Sequence, residues 1–310
     1  MLRLPRSMLA RYERFSLYNS PYPAHDSGCA IDLYGPGEGS VSPPPVEGSI
    51  VPSPVAGIVR ETRTVRAPDK PYAHDDEYLI LVDVDAEATG LDWTGAPDAD
   101  PRDELVARIL HVAPEVQAGD ELAVGDPLGQ LVRSGFFAPW VANHIHLGFR
   151  PADVNPHRAR GSLPVVADVD VAPLPWDGRG TVVEVGETFV RLDEPARNGD
   201  FDGEFVGLAS DEGVVLDGGV AHYGMGGTLS PVADETPLSL LGTEVGRTAG
   251  RDVPWGAFDV VADGTRVTGL SLFASRVEFG VKVVCPGHEY AVGDEVTVSI
   301  RPSENPIRLD

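Results

Sequence analysis

Two histidines that alternate with apolar residues form the strongest chemical signal in the sequence. They are His144 and His146, in the run Asn-His-Ile-His-Leu-Gly-Phe that ends at Phe149. Side chains alternate between the faces of a strand, so both imidazoles are expected on one face. Imidazole binds zinc, and a catalytic zinc typically has three protein ligands and an open position. On its own the pair is better explained as two surface histidines, so a metal site requires further ligands.

An aspartate inside an apolar run is a second signal. Asp32 lies in Ala-Ile-Asp-Leu-Tyr, residues 30–34. Burying a carboxylate in such a strand costs free energy unless the group is paired or binds a metal. A third histidine, His111, ends another apolar run just before a predicted hairpin that contains Gly119 and Gly125. None of these residues is specific on its own, and it is their order along the chain that indicates a functional site.

This order of residues resembles the lysostaphin- and LytM-type zinc metallopeptidases over roughly residues 20–152. The resemblance includes Ser-Pro-Val-Ala-Gly-Ile-Val from Ser53, which is similar to a family turn followed by a strand. It also includes the hairpin Gly119–Gly129, which is similar to the turn before the family's final histidines. The fold that the resemblance implies is a duplicated-hybrid-motif β-barrel or sandwich.

The resemblance also implies a role for five residues of this sequence. Zinc would be bound by His25, Asp32 and His146, while His111 and His144 would face the substrate. In such a site the metal polarises the scissile carbonyl and activates water, and the outer histidines act as base or stabilise the oxyanion. The expected function is therefore zinc-dependent cleavage of a peptide bond in a peptide or protein substrate.

The first ligand departs from the family pattern. In the family a histidine lies four residues before the aspartate, but here that position is Gly28 and the nearest histidine, His25, is seven residues before Asp32. Their strand parity is opposite, so the chain must turn near Ser27 and Gly28 to bring them together. Cys29 is the alternative ligand, but parity places it opposite Asp32, and we favour His25.

Two other functions fit the same barrel. The displaced His25 favours a catalytically inactive binding or regulatory module, whereas the intact pair His144 and His146 favours the hydrolase. Phosphoryl transfer through histidine, as in a sugar phosphotransfer component with this barrel, requires two facing histidines but no ligating aspartate. A carrier domain would present a lysine at the hairpin tip, and neither Lys70 nor Lys282 lies there.

The element pattern predicts an all-β chain of two domains. Short apolar runs recur between glycine and proline, and 310 residues is about twice a typical domain length. We expect the metallopeptidase-like domain in residues 1–160, a linker in 161–176, and a small antiparallel β domain of unknown role in 177–310. The stretches Gly35–Gly48 and Gly95–Arg102 are predicted loops.

The charge balance limits the partners. The chain has 24 basic and 48 acidic side chains, a net charge of −24, and only two lysines. Such a surface repels phosphate backbones and anionic membranes, so a nucleic-acid or membrane partner is not expected. Acidic, lysine-poor composition resembles that of proteins from organisms with molar salt in the cytoplasm, where screening limits charge repulsion. The oligomeric state is not predicted.

The sequence also indicates a cellular location. The first 20 residues contain several arginines and no apolar core, so neither a secretory signal nor a membrane anchor is expected. Cys29 and Cys285 are far apart in the sequence and are expected to be reduced thiols rather than a disulfide. The predicted location is the cytoplasm.

Overall fold

The computed structural model describes residues 1–35, 50–95, 100–197 and 203–309. It confirms the predicted all-β class, with 45% of the chain in strands and 6% in helices. The predicted loop Gly35–Gly48 lies outside the described residues except for Gly35, and residues 96–99 of the loop Gly95–Arg102 also lie outside them. Among the described residues, no helix has the length and apolar character that crossing a membrane requires.

The elements up to residue 168 are short strands joined by turns. The strands are β1 (Leu2–Leu4), β2 (Arg14–Ser16), β3 (Ala30–Tyr34), β4 (Ile50–Pro52), β5 (Gly57–Val65), β6 (Glu77–Val84), β7 (Asp92–Trp93), β8 (Leu105–Leu110), β9 (Val112–Pro114), β10 (Glu121–Leu122), β11 (Pro127–Leu131), β12 (Ile145–Pro151) and β13 (Val165–Ala167). The α-helices are α1 (Arg6–Leu9) and α2 (Ala86–Thr89), and the 3-10 turns are Pro23–Gly28 and Arg102–Glu104.

The elements after residue 168 are again strands. They are β14 (Val171–Leu174), β15 (Arg179–Val185), β16 (Phe189–Leu192), β17 (Phe205–Leu208), β18 (Leu216–Val220), β19 (Met225–Thr228), β20 (Pro237–Leu240), β21 (Thr243–Arg247), β22 (Asp252–Pro254), β23 (Phe258–Ala262), β24 (Thr265–Val267), β25 (Gly269–Leu272), β26 (Ala274–Ser275), β27 (Lys282–Val284) and β28 (Glu295–Pro302).

The chain divides into two compact units. The first comprises Met1–Glu13 and Cys29–Asp168, and the second comprises Arg14–Gly28 and Val169–Asp310. The division after residue 168 falls within the predicted linker 161–176, which carries β13 and the strand that follows it. The sequence did not predict that Arg14–Gly28 groups with the second unit.

An antiparallel sheet with the strand order β10-β5-β6-β8-β12-β3 dominates the first unit. Along β12, Ile145, Leu147 and Phe149 are fully buried, as expected for one apolar face of a strand. Burying each such side chain contributes about 1.5–3 kcal/mol. His146 points to the other face and pairs in register with Asp32 of β3. The sheet thus positions two of the predicted site residues side by side.

Two smaller sheets complete the first unit. Their strand orders are β13-β1-β7 and β4-β11-β9. Gly119 and Gly125, in the predicted glycine hairpin, have φ angles of 95° and 98°, a left-handed conformation that glycine adopts without steric cost. This chemistry explains the glycine at both turns.

The second unit is built from three groups of strands. Their orders are β22-β19-β18-β25-β27-β16-β15-β28-β23-β24, β20-β21 and β2-β26-β17-β14. Its core includes Phe258, Leu270 and Trp255.

A buried carboxylate explains why the segment Arg14–Gly28 belongs to the second unit. Asp217 of β18 is fully buried. Its oxygens accept hydrogen bonds from Ser16 Oγ at 2.8 Å and from the backbone N–H groups of Leu17 at 2.6 Å and Tyr18 at 3.2 Å. Charge-assisted bonds of this kind are roughly twice as strong as neutral ones, so one side chain fixes the course of the segment.

Candidate metal centre

Asp32 and His146 are adjacent across the antiparallel pair of β3 and β12. His146 Nδ1 lies 3.1 Å from Asp32 Oδ1. Asp32 is 1% exposed and His146 is 5% exposed. A carboxylate buried this completely requires a hydrogen-bonding partner or a metal, as we expected from the sequence. The imidazole of His146 is close enough to Asp32 to be that partner.

His144 reaches the same carboxylate from the residue before β12. The predicted strand includes His144, but β12 begins at Ile145, so His144 is placed by the preceding loop rather than by strand alternation. Its Nδ1 is 2.9 Å from the carbonyl oxygen of Ala142, and its Nε2 is 3.4 Å from Asp32 Oδ1. The structure therefore brings His144 and His146 together at one aspartate.

His111 completes a cluster of three imidazoles within the first unit. It lies between β8 and β9 with a φ angle of 70°, which is uncommon for a residue other than glycine. Its ring centroid is 5.4 Å from that of His144 and 5.9 Å from that of His146. Backbone strain of this kind occurs at functional sites, where the surrounding structure holds it.

Glu77 belongs to this cluster and was missed in the sequence. It is the first residue of β6 and is 2% exposed. Its Oε2 lies 3.0 Å from His111 Nδ1 and accepts a hydrogen bond from Ser134 Oγ. In the sequence Glu77 ends the acidic run that follows His74, which gives it the pattern of a solvent-exposed turn, and only the pairing of β6 with β8 reveals its position.

An aromatic side chain packs against the two outer histidines. The ring of Phe137 is 4.6 Å from that of His111 in an edge-on arrangement and 4.3 Å from that of His144. Arg133 donates hydrogen bonds to the carbonyl groups of Ala138 and Val141 and lies over the Phe137 ring. The loop between β11 and β12 is thereby held against the imidazoles.

The charge states of Glu77 and His111 follow from their surroundings. Burial acts to raise the pKa of Glu77, but hydrogen bonds from His111, Ser134 and the N–H of Tyr78 hold that pKa below its usual value. Burial lowers the pKa of His111, although the carboxylates of Glu77 and Asp32 oppose this shift. At neutral pH the pair is therefore a carboxylate beside a neutral imidazole.

His25 lies on the 3-10 turn Pro23–Gly28 of the second unit. It is 5% exposed, and its Nδ1 is 2.8 Å from the carbonyl oxygen of Leu17. The turn departs from helical geometry at Ser27, where φ is 54°, and Gly28 follows with a φ of 65°. The change of chain direction expected near Ser27 and Gly28 is confirmed.

The environment of Gly28 disfavours a side chain at this position. A Cβ atom on Gly28 would lie 2.9 Å from Arg251 Nη2 and 3.1 Å from Tyr18 Oη. The positive φ angle also disfavours any side chain with a Cβ. A histidine at this position would therefore be strained.

The remaining histidines of the first unit lie away from this cluster. His74 is exposed, and its Nδ1 contacts the backbone of Asp76. His157 is also exposed, with its Nε2 3.5 Å from Glu61. No disulfide joins Cys29 and Cys285.

Comparison with known proteins gives two matches along the chain. The family model of the N-terminal domain of DUF8155, a domain of unknown function, matches residues 3–167. The model of the DUF8155 C-terminal domain matches residues 172–301. No curated protein and no solved structure matches the chain.

Proposed function

The chain belongs to the DUF8155 family, and we propose that it is a zinc-dependent hydrolase that cleaves a peptide bond in a peptide or protein substrate. The observation that supports this proposal is the cluster of His111, His144 and His146, in which His144 and His146 both contact the buried carboxylate of Asp32. Three imidazoles and a carboxylate in one buried cluster supply both metal ligands and groups that exchange protons.

The proposed zinc ligands are His25, Asp32 and His146. Within the first unit, His146 Nδ1 lies 3.1 Å from Asp32 Oδ1. Two imidazoles and one carboxylate form a donor set that suits zinc and leaves a fourth position for substrate or water. His25 is proposed as the third ligand in preference to Cys29, as in the sequence analysis.

The hydrogen bond of His25 also supports a ligand role. Histidines that bind zinc commonly donate their second ring N–H to a backbone carbonyl, which fixes the tautomer and the ring orientation. The contact between His25 Nδ1 and Leu17 O has this form, so the metal would be bound through Nε2. Zinc, when bound, would polarise the scissile carbonyl and activate the attacking water.

The two other histidines would act on the substrate. His144 donates through Nδ1 to Ala142 O and is packed against Phe137, which gives its ring a defined orientation. His111 is held by the carboxylate of Glu77. One imidazole would accept a proton and the other would stabilise the oxyanion that develops on the scissile carbonyl.

We further propose that this hydrolase acts in a cytoplasm of high salt concentration. The net charge of −24 and the presence of only two lysines support this setting, because screening at molar salt weakens repulsion between acidic side chains. Purification and assays are therefore best done in molar salt.

Elemental metal analysis of untagged protein tests the proposal. We expect about one zinc per chain, as for a site with three ligands, and loss of that zinc in His25→Ala and His146→Ala. His74→Ala, which changes an exposed histidine, is the control and should retain the metal. A zinc-loaded protein would then be screened for cleavage of peptide libraries.

The result also separates the two main alternatives. A wild-type chain that binds no metal after incubation with zinc would contradict the hydrolase and leave a binding or regulatory module. Zinc binding without cleavage of any peptide would leave a metal-dependent binding module. Retention of zinc in Asp32→Ala would contradict the ligand set.

A further inference from the structure

The carboxylate of Glu77 is held by four donors from three residues. Its Oε1 accepts the backbone N–H groups of Tyr78 at 2.9 Å and His111 at 3.1 Å. Its Oε2 accepts Ser134 Oγ–H and lies 3.0 Å from His111 Nδ1. A buried carboxylate with donors on both oxygens has a fixed orientation, so it presents Oε2 to one nitrogen of the His111 ring.

This arrangement determines where the proton of His111 resides. A neutral imidazole carries one N–H, and the other nitrogen is an acceptor. Because Oε2 of an ionised Glu77 can only accept, the hydrogen bond at 3.0 Å requires the proton on Nδ1. The lone pair of the neutral ring is then on Nε2.

The ring itself is also held in place. Phe137 packs edge-on against it at 4.6 Å, and the rings of His144 and His146 lie 5.4 Å and 5.9 Å away. His111 is 4% exposed, so bulk water does not compete strongly for its nitrogens. The acceptor nitrogen therefore belongs to a ring fixed within the cluster.

We propose that Glu77 is a positioning residue that holds His111 with its proton on Nδ1 and makes Nε2 the proton acceptor of the reaction. This inference rests on the proposed function for its catalytic consequence. His144 differs, because its Nδ1 bonds the neutral carbonyl group of Ala142 and its Nε2 lies 3.4 Å from Asp32, a proposed zinc ligand. The structure thus assigns the base role to His111 rather than to His144.

In the proposed reaction, His111 carries one proton from the attacking water to the leaving nitrogen. The attacking water gives a proton to His111 Nε2 as its oxygen forms a bond to the scissile carbon. The imidazolium that results is stabilised by the carboxylate of Glu77. The same proton then passes to the leaving nitrogen as the C–N bond breaks, which yields a carboxylic acid and an amine and restores neutral His111.

Nuclear magnetic resonance of the ring nitrogens tests the inference without any assay of hydrolysis. In ¹⁵N-labelled full-length protein at neutral pH, metal-free and zinc-loaded, we expect His111 to show a protonated Nδ1 and an unprotonated Nε2. His111→Gln identifies the signals by their loss. A wild-type His111 with its proton on Nε2 would overturn the inference, whether or not the protein cleaves peptides.

The Glu77→Gln variant gives the second readout. A glutamine side chain that presents its NH₂ group to Nδ1 would move the ring proton to Nε2, so the tautomer should invert while the zinc content stays the same. In the zinc-loaded form kcat should fall by about 10²–10⁴-fold, the range that general base catalysis contributes. An unchanged tautomer in a folded Glu77→Gln would contradict the inference.

Ser134→Ala is the matched control. It removes one donor to Oε2 but keeps the carboxylate, so His111 should retain its proton on Nδ1. If Glu77→Gln does not fold, the wild-type tautomer still decides the question. If the wild-type protein cleaves no peptide, the proposed function fails while the tautomer remains measurable.

Discussion

Nδ1 of His146 lies 3.1 Å from Oδ1 of Asp32, although 114 residues separate the two along the chain. The antiparallel pairing of β12 with β3 produces this contact, because it places the two residues directly opposite each other. Two ligands of one tetrahedral zinc, each at about 2.0–2.1 Å from the ion, would be separated by a similar distance. The register of the sheet therefore places two of the three proposed zinc ligands, Asp32 and His146, side by side.

Zinc should stabilise the wild-type protein and have no such effect on Asp32→Asn. A ligand that binds only the folded state stabilises it by mass action, by about 2.7 kcal/mol at one hundred times its Kd. Thermal unfolding in molar salt with increasing zinc measures this effect. Asp153→Asn, which changes an exposed aspartate, should respond to zinc as the wild type does. An equal response in Asp32→Asn would show that the zinc binds elsewhere.

The part of the cluster that lies on regular strands was accessible from the sequence. The alternation of His146 with Ile145 and Leu147 indicated a half-apolar strand, and that strand is present as β12. Asp32 was identified as a candidate site residue because burying a carboxylate in an apolar strand is costly unless the group is paired or binds a metal. Strand periodicity predicts which face of a sheet a residue occupies. The prediction was correct for His146, which lies within a strand.

Strand periodicity alone could not place Glu77, Phe137 and His25. Glu77 follows two exposed acidic residues and becomes buried only through tertiary pairing of β6. Phe137 lies in a loop whose course depends on hydrogen bonds from Arg133. The segment that contains His25 is held in the second unit by Asp217, a contact across about 200 residues. Long-range contacts of this kind leave no local pattern.

Replacing Phe137 by alanine should destabilise the protein and loosen the outer histidines. Phe137 is 5% exposed and packs against both His111 and His144. Removing a buried phenylalanine ring costs about 3–5 kcal/mol, partly because of the cavity it leaves. Denaturant unfolding monitored by tryptophan fluorescence gives the free energy of unfolding. The neighbouring Phe136 is half-buried, so Phe136→Ala should cost less; an equal cost would contradict the packing role.

The free energy of unfolding should fall as the pH drops below about 6.5, in part because of His222. This residue of the second unit is fully buried, and burial lowers its pKa to about 3, with a smaller contribution from the charge of Arg308. The unfolded chain therefore binds a proton at His222 between about pH 6.5 and pH 3 that the folded chain excludes. Over this window the residue removes stability by about 1.4 kcal/mol per pH unit, up to about 5 kcal/mol.

The comparison of His222→Gln with the wild type isolates this contribution from that of the acidic side chains. Both proteins would be unfolded by denaturant at several pH values from 8 to about 4. The part of this range below about pH 6.5 lies between the pKa values of His222 in the unfolded and folded chains. The variant should show a shallower loss of stability below about pH 6.5. His74→Gln, which changes an exposed histidine, should follow the wild-type curve, and parallel curves for all three proteins would contradict the assignment to His222.

The thiol of Cys285 should react very slowly with alkylating reagents in the folded protein. Burial raises the pKa of Cys285 to about 12, and the side chain is 5% exposed. Because the thiolate is the reactive form, a pKa about three units above the usual value lowers the thiolate fraction at pH 8 about a thousandfold. In Cys29→Ser, iodoacetamide labelling measured by mass spectrometry should therefore be limited by unfolding. Cys29 itself is half-exposed, so Cys285→Ser should be labelled in the folded state, and fast labelling of Cys285 in folded protein would show that the core of the second unit opens to solvent.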